Sequence, residues 1–141
     1  MTAETVELRL ANDLAALAEL ADRVERFGAE QRLSANVVNA LNVVLDEAVS
    51  NAINHGYVAG VRGEIAVRLR RGADRVEVEV EDDGRPFDPL RAPPPDLSLP
   101  LERRPIGGLG IHLIRNLMDE VSYARQGGRN VLKMAKRLAK A

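Results

Sequence analysis

Two periods of apolar and polar positions alternate along the chain, and the switches between them divide it into elements. Val6, Leu8 and Leu10 alternate with Glu7 and Arg9, the two-residue period of a half-buried strand. From Asn12 and Asp13, both suited to cap a helix, the period lengthens. Leu14, Leu17, Ala18, Ala21 and Val24 form an apolar stripe predicted to run to about Phe27, where Gly28 stops it. Ser34 is the expected cap of a longer helix reaching about His55, before Gly56, with Val37, Leu41, Val44, Ala48 and Ala52 on its inner face. Two more alternating runs, Ile65, Val67, Leu69 and Val76, Val78, Val80, predict a hairpin with one apolar face. Only an even loop length keeps both apolar sets on that face. A four-residue loop over 72–75 sets Arg70 opposite Glu77 and Arg68 opposite Glu79, whereas a two-residue loop sets Arg70 opposite Arg75. Opposite charges across strands attract, so the four-residue loop is expected.

All seven prolines fall between Arg85 and Ile106. A structureless stretch of that length inside a compact domain is usually a functional lid, and too little chain follows for a second domain. The lid is expected over about 85–107. Gly107, Gly108 and Gly110 then open a helix carrying Ile111, Ile114, Arg115 and Met118, and 121–125 with 130–134 form a closing hairpin around Gly127 and Gly128. The order lacks regular strand–helix–strand alternation. It predicts an α/β (α+β) fold: a two-layer sandwich with a mixed, mainly antiparallel sheet of about five strands and about three helices on one face, in a single domain over 1–141.

Composition narrows the function classes. Of 141 residues, 45% are hydrophobic and 29% charged, which argues against disorder and against a membrane protein. Twenty basic against 21 acidic residues argue against a whole-surface nucleic-acid binder. There is no cysteine, which excludes disulfide scaffolds, thiolate metal sites and cysteine nucleophiles. The first ten residues have neither a basic nor an apolar leader region, so a soluble, cytoplasmic protein is expected.

Three places carry candidate chemistry. In LDEAVSNAINHG, with about 100° per residue and Glu47 as origin, Asn51 falls at about 40°, Asn54 at about −20° and Ser50 at about −60°. This is an ordinary solvated face or a functional one. Asparagine is a poor helix former, yet Asn36, Asn39, Asn42, Asn51 and Asn54 all lie on this helix, which points to hydrogen bonding or to a hard cation such as Mg²⁺. Asp82, in register with Val76, Val78 and Val80, points inward, where a carboxylate needs a donor such as a nucleobase amino group, and Gly84 lets a flat ring approach. The alternative is that Asp82 and Asp83 are simply turn residues. Gly107, Gly108, Leu109 and Gly110 at a helix start make a candidate phosphate cradle without a Walker lysine, which Arg85, Arg91, Arg103 and Arg104 would supplement unless they are solubilising charges.

The order of these sites resembles the GHKL ATPase superfamily, whose ATP-binding unit is the Bergerat fold. Within it, DEAVSNAINHG, EDDGRPFDP and GGLGIHLIRNLMDEV are similar to the anti-sigma-factor serine kinases, over nearly the whole chain. The resemblance implies Glu47 as the general base that takes a proton from a serine hydroxyl, and Asn51 as the Mg²⁺ ligand beside the ATP phosphates. It implies Asn54, His55 and Gly56 as the rest of that box, Asp82 and Gly84 as the adenine site with Pro86 beside it, and Gly107, Gly108, Leu109 and Gly110 as the phosphate-binding segment. It also implies two partners, a STAS-type anti-anti-sigma antagonist and a sigma factor, and a homodimer. Where the family often has a hydroxyl residue after a glycine, this chain has Gly127-Gly128-Arg129-Asn130, so Asn130 stands in for that nucleotide contact. Arg23 and Arg26 are partner-surface candidates on exposure alone, and His112 is expected to be structural or exposed. Two other classes compete: a nucleotide-gated binding module that transfers nothing, and an interaction domain whose proline-rich segment is itself a ligand.

Overall fold

The alternating runs pair as expected. The computed structural model describes residues 4–58, 60–91 and 108–138. β1 (Glu4–Ala11), β2 (Glu64–Arg71), β3 (Arg75–Asp82), β4 (Glu120–Gln126) and β5 (Arg129–Arg137) form one sheet in the order β1-β2-β3-β5-β4. Every neighbouring pair is antiparallel, so the expected mixed sheet is corrected to an antiparallel one among the described residues. The reason is topological. β2–β3 and β4–β5 are hairpins, the excursion between β1 and β2 returns the chain antiparallel beside β1, and the excursion between β3 and β4 skips one place, which β5 then fills antiparallel to both.

In the β2–β3 register Arg70 faces Glu77 and Arg68 faces Glu79, as the charge argument required. Arg68 bonds Glu79 at 2.8 Å and Glu7 at 3.1 Å, and Arg70 bonds Glu77 at 3.2 Å. These pairs cover the outer face of the sheet, where solvent screening leaves each of them a small contribution. The two glycines of the closing turn have φ of 58° and 75°, the left-handed pair that a two-residue hairpin loop demands.

Three helices cover the other face: α1 (Ala16–Glu30), α2 (Ala35–Gly56) and α3 (Gly108–Leu117). Ser34 caps α2 by accepting from Val37 N–H at 3.3 Å, and all five expected inner residues of that helix are buried. Met118, just past α3, is buried with Ile111 and Ile114, while Arg115 is exposed.

α1 departs from expectation. Its buried residues are Leu20, Val24, Phe27 and Gly28, with Leu17 half-buried and Leu14 53% exposed. The helix begins later than its first polar residues suggest, leaving Leu14 in the preceding turn. Asn12 does not cap it; its side chain donates to Val61 O at 2.7 Å and accepts from Gly63 N–H at 2.9 Å. Nor does Gly28 end it. A Cβ there would lie 2.5 Å from Val38 Cγ2, so Gly28 lets α1 close on α2. The stop is at Arg32, which takes φ 55°, with Leu33 N–H bonded to Gly28 O and Arg32 N–H to Ala29 O.

Candidate functional site

α2 organises the site along one line. Between Glu47 and Gly56 the helix rises about 14 Å, the scale of an extended nucleoside triphosphate. At its C-terminal end it docks on the turn that closes β3. Arg85 N–H donates to Gly56 O at 2.8 Å, and Arg85 Nε to His55 O at 2.6 Å. A Cβ on Gly84 would collide with Gly56 O, so glycine is required there for the turn to touch the helix end. The His55 ring stacks on Phe87 with centroids 4.8 Å apart. Arg125, on β4, donates to Gly84 O at 2.8 Å and fixes the turn from the other side.

Asp82 is buried, as the strand register required. Its Oδ1 accepts from Gly84 N–H and from Asn130 Nδ2, each at 2.9 Å, and Oδ2 bonds nothing among the described residues. Burial pushes the carboxyl pKa up, against the opposing pull of the Asn130 and Gly84 hydrogen bonds. Asp83, by contrast, turns outward and accepts from Tyr57 OH at 2.6 Å and Glu64 N–H at 3.1 Å; the tyrosine hydrogen bond holds its pKa down. The two aspartates thus separate, one aimed inward and one latching the turn.

Asn130 uses all four hydrogen-bonding positions of its carboxamide. Nδ2 donates to Asp82 Oδ1 and, at 2.8 Å, to Arg85 O; Oδ1 accepts from Phe87 N–H at 3.2 Å and from Tyr123 OH. The side chain offered as a nucleotide contact therefore ties Asp82 to the backbone of Arg85 and Phe87.

Asn51, Asp82 and Asn130 line one cavity with Ala52, Phe87 and Tyr123, and its volume is about 20 Å³. That is room for roughly one water. A purine is several times larger and fits only if the wall moves; Phe87 and Pro89 are part of that wall. Asn54 is exposed and does not line the cavity, and of the other helix amides Asn42 bonds Glu25 at 3.0 Å while Asn36 and Asn39 face solvent. One amide of the five points into the site.

Glu47 lies one turn before Asn51. Neither makes a hydrogen bond to another described residue. Burial, and then the neighbouring Asp46 charge, raise the Glu47 pKa. A half-buried carboxamide oxygen with no partner among the described residues is a suitable hard donor for Mg²⁺, whose remaining ligands usually are phosphate oxygens and water. Among the described residues no group of three His, Asp or Glu side chains forms a ready-made metal site. Asn51 thus fits the cation only together with a phosphate ligand.

α3 begins at Gly108, so the N–H groups of Gly108, Leu109 and Gly110 belong to its first turn, which has no intrahelical acceptors. Gly110 abuts the Glu47 carboxylate. Pro86 is exposed beside the Asp82 turn, and Pro89 to Arg91 form one 3₁₀ turn whose Leu90 O accepts from Arg115 at 3.0 Å. Gly107, Arg103, Arg104 and the body of the expected lid lie outside the described residues. His112 bonds Asn116 at 3.1 Å on α3, away from the cavity, and Arg23 is half-buried while Arg26 is exposed on α1.

Sequence reasoning missed Tyr123, Phe87 and Arg125. Phe87 had a signal, being one of only two phenylalanines and lying inside the EDDGRPFDP block. Tyr123 and Arg125 had none, because only the β5–β4 pairing brings them to Asn130 and Gly84.

Comparison with known proteins bears on the family and the fold. Residues 10–136 match the model of the histidine kinase-like ATPase domain. A serine/threonine-protein kinase of Bordetella bronchiseptica, BtrW, is 32% identical over 109 residues, 77% of each chain. The serine-protein kinase RsbW of Bacillus cereus (strain AH187) is 37% identical over 99 residues, 67% of this chain, which spans 61% of that relative's length. Among solved structures, that of the RsbU and RsbW domains of a Mycobacterium tuberculosis protein superimposes with a TM-score of 0.72 at 18% identity, over 98% of this chain and 33% of that one, and so shares the fold.

Proposed function

The chain belongs to the histidine kinase-like ATPase domain family, and from that premise we propose that it is a protein serine kinase that moves the γ-phosphoryl group of Mg-ATP to a serine of a STAS-type anti-anti-sigma antagonist. In this reading it also sequesters a sigma factor, works in the cytoplasm and pairs as a homodimer, with residues 1–141 acting as one ATP-binding unit under a lid over 85–107. The named serine kinases to which the chain is similar support the reaction class. No described helix is long and apolar enough to cross a membrane.

One observation carries the reading. Along α2, in order, come a carboxylate (Glu47) and an amide (Asn51), each without a hydrogen-bond partner among the described residues, and then the Asp82 turn. That is the order a base, a metal ligand and an adenine acceptor need along one extended triphosphate. Asp82 Oδ2 accepts from the adenine amino group, with Gly56, Gly84 and Pro86 shaping the approach and Asn54 and His55 completing the box. Gly107, Gly108, Leu109 and Gly110 meet the phosphates through backbone N–H groups, and Asn130 sits behind Asp82. When bound, Mg²⁺ held by Asn51 neutralises charge on the phosphate oxygens. Glu47 accepts the serine proton as the serine oxygen bonds to the γ-phosphorus and the bond to the ADP oxygen breaks, giving phosphoserine and ADP. A base must be ionised to act, and no described residue hydrogen-bonds Glu47, which leaves its oxygens to the incoming hydroxyl.

The test is the mass of the antagonist after incubation with Mg-ATP. Wild type should add one phosphoryl group. Glu47→Ala should bind ATP with an unchanged Kd and transfer about 10³-fold more slowly. An antagonist that gains no mass, despite ATP-dependent binding, would make the chain a nucleotide-gated module instead.

A further inference from the structure

Gly110 is the residue of the glycine-rich segment whose missing side chain has an observable occupant. A Cβ built on it would overlap Glu47 Oε2 and would lie 3.2 Å from Glu47 Cδ. The carboxylate therefore occupies the volume that any other residue at 110 would fill. We propose that Gly110 is a positioning residue for Glu47: it is glycine so that the carboxylate can seat against α3. This rests on the reading of Glu47 as the base.

The physical consequences are specific. Gly110 is buried in the first turn of α3 and is not among the glycines with positive φ, so no backbone strain accounts for it. Alanine is the stronger helix former, so on propensity alone Gly110 is a cost. The colliding atom is the far end of a flexible side chain. A Cβ at 110 would push the carboxylate aside by rotation of Glu47 torsions and leave the helix packing in place. A displacement of about 1 Å is enough to slow a positioned reaction about 100-fold. Alanine also keeps the backbone N–H, so a phosphate bond donated by residue 110 survives the substitution.

The decisive experiment compares Gly110→Ala with wild type in three measurements, using the antagonist that the wild-type chain phosphorylates. The expected result is a melting temperature no lower than wild type, a Kd for Mg-ATP within about 3-fold, and a single-turnover transfer rate about 10- to 100-fold slower at saturating ATP. A cycle with Glu47→Asp, whose carboxyl carbon takes the place of Glu47 Cγ, 3.8 Å from the new Cβ, adds a readout that a general structural role would not move. In that background Gly110→Ala should cost less than about 3-fold. Wild-type transfer by Gly110→Ala would overturn the proposal, as would a loss confined to ATP affinity or an equal loss in both backgrounds. Wild-type transfer by Glu47→Gln would instead overturn the assignment of the base, so the two failures are distinguishable.

Discussion

Asn130 and Asp82 stand opposite each other in the β3–β5 register, and Asn130 Nδ2 donates to Asp82 Oδ1 at 2.9 Å. With Gly84 N–H on the same oxygen, the carboxylate is held with Oδ2 unbonded among the described residues. The pocket thus presents an acceptor whose orientation is fixed before any ligand arrives.

Asp82→Asn separates binding from stability. The amide oxygen can keep the bonds from Gly84 and Asn130, which puts its NH₂ where Oδ2 was, donor against the donor of an adenine amino group. Affinity for ATP should fall about 100-fold. The sign for stability is opposite. Burial raises the folded pKa of this acid, so its charged form destabilises the fold at neutral pH, and the penalty is relieved as pH falls through the folded value. Thermal melts at pH 7 should show Asp82→Asn at or above wild type, with the difference shrinking in acid. A lower melting temperature across the range would contradict this account.

Asn130→Ala removes four hydrogen bonds at once and strands Arg85 O and Phe87 N–H. A stability loss of about 2–3 kcal/mol is expected from denaturant titration. ATP affinity should fall with it, since Asp82 loses the donor that orients it. A variant as stable as wild type would mean that water replaces the amide without cost.

With Glu47 as the proposed base, its raised pKa should set an acid limit on transfer. A base that must be ionised fails as pH drops through its own pKa, so the rate should fall on acidification before an ordinary glutamate would protonate. Burial is the larger cause and the Asp46 charge the smaller. Asp46→Asn should therefore move the acid limb of the single-turnover rate modestly to lower pH without changing its plateau. A limb that stays in place would remove Asp46 from the electrostatics of the site.

Much of this arrangement is legible in the sequence because local rules determine it. The alternation of Val76, Val78 and Val80 fixes which way Asp82 points, and the Arg68, Arg70, Glu77 and Glu79 charges fix the hairpin register. What is not legible depends on elements meeting across the fold. The buried stripe of α1 was misread because Leu14 and Leu20 fit a helical period equally well, and only docking against α2 chooses between them. Gly28 looked like a terminator and is a contact surface for Val38. The helix amides looked like one functional face, and Asn51 is the member of the set that lines the cavity. Asn130 could be placed at the site by resemblance, but its four partners lie on three separate segments.

The claim on which the rest depends is that one nucleotide lies along α2 between Glu47 and the Asp82 turn. Calorimetric titration with Mg-ATP tests it most directly, using wild type, Asn51→Ala and Asp82→Asn. Wild type should show one saturable site per chain, weakened at least about 30-fold by either substitution, with the loss in Asn51→Ala smaller when Mg²⁺ is omitted for all proteins. Wild-type affinity in both variants would contradict it.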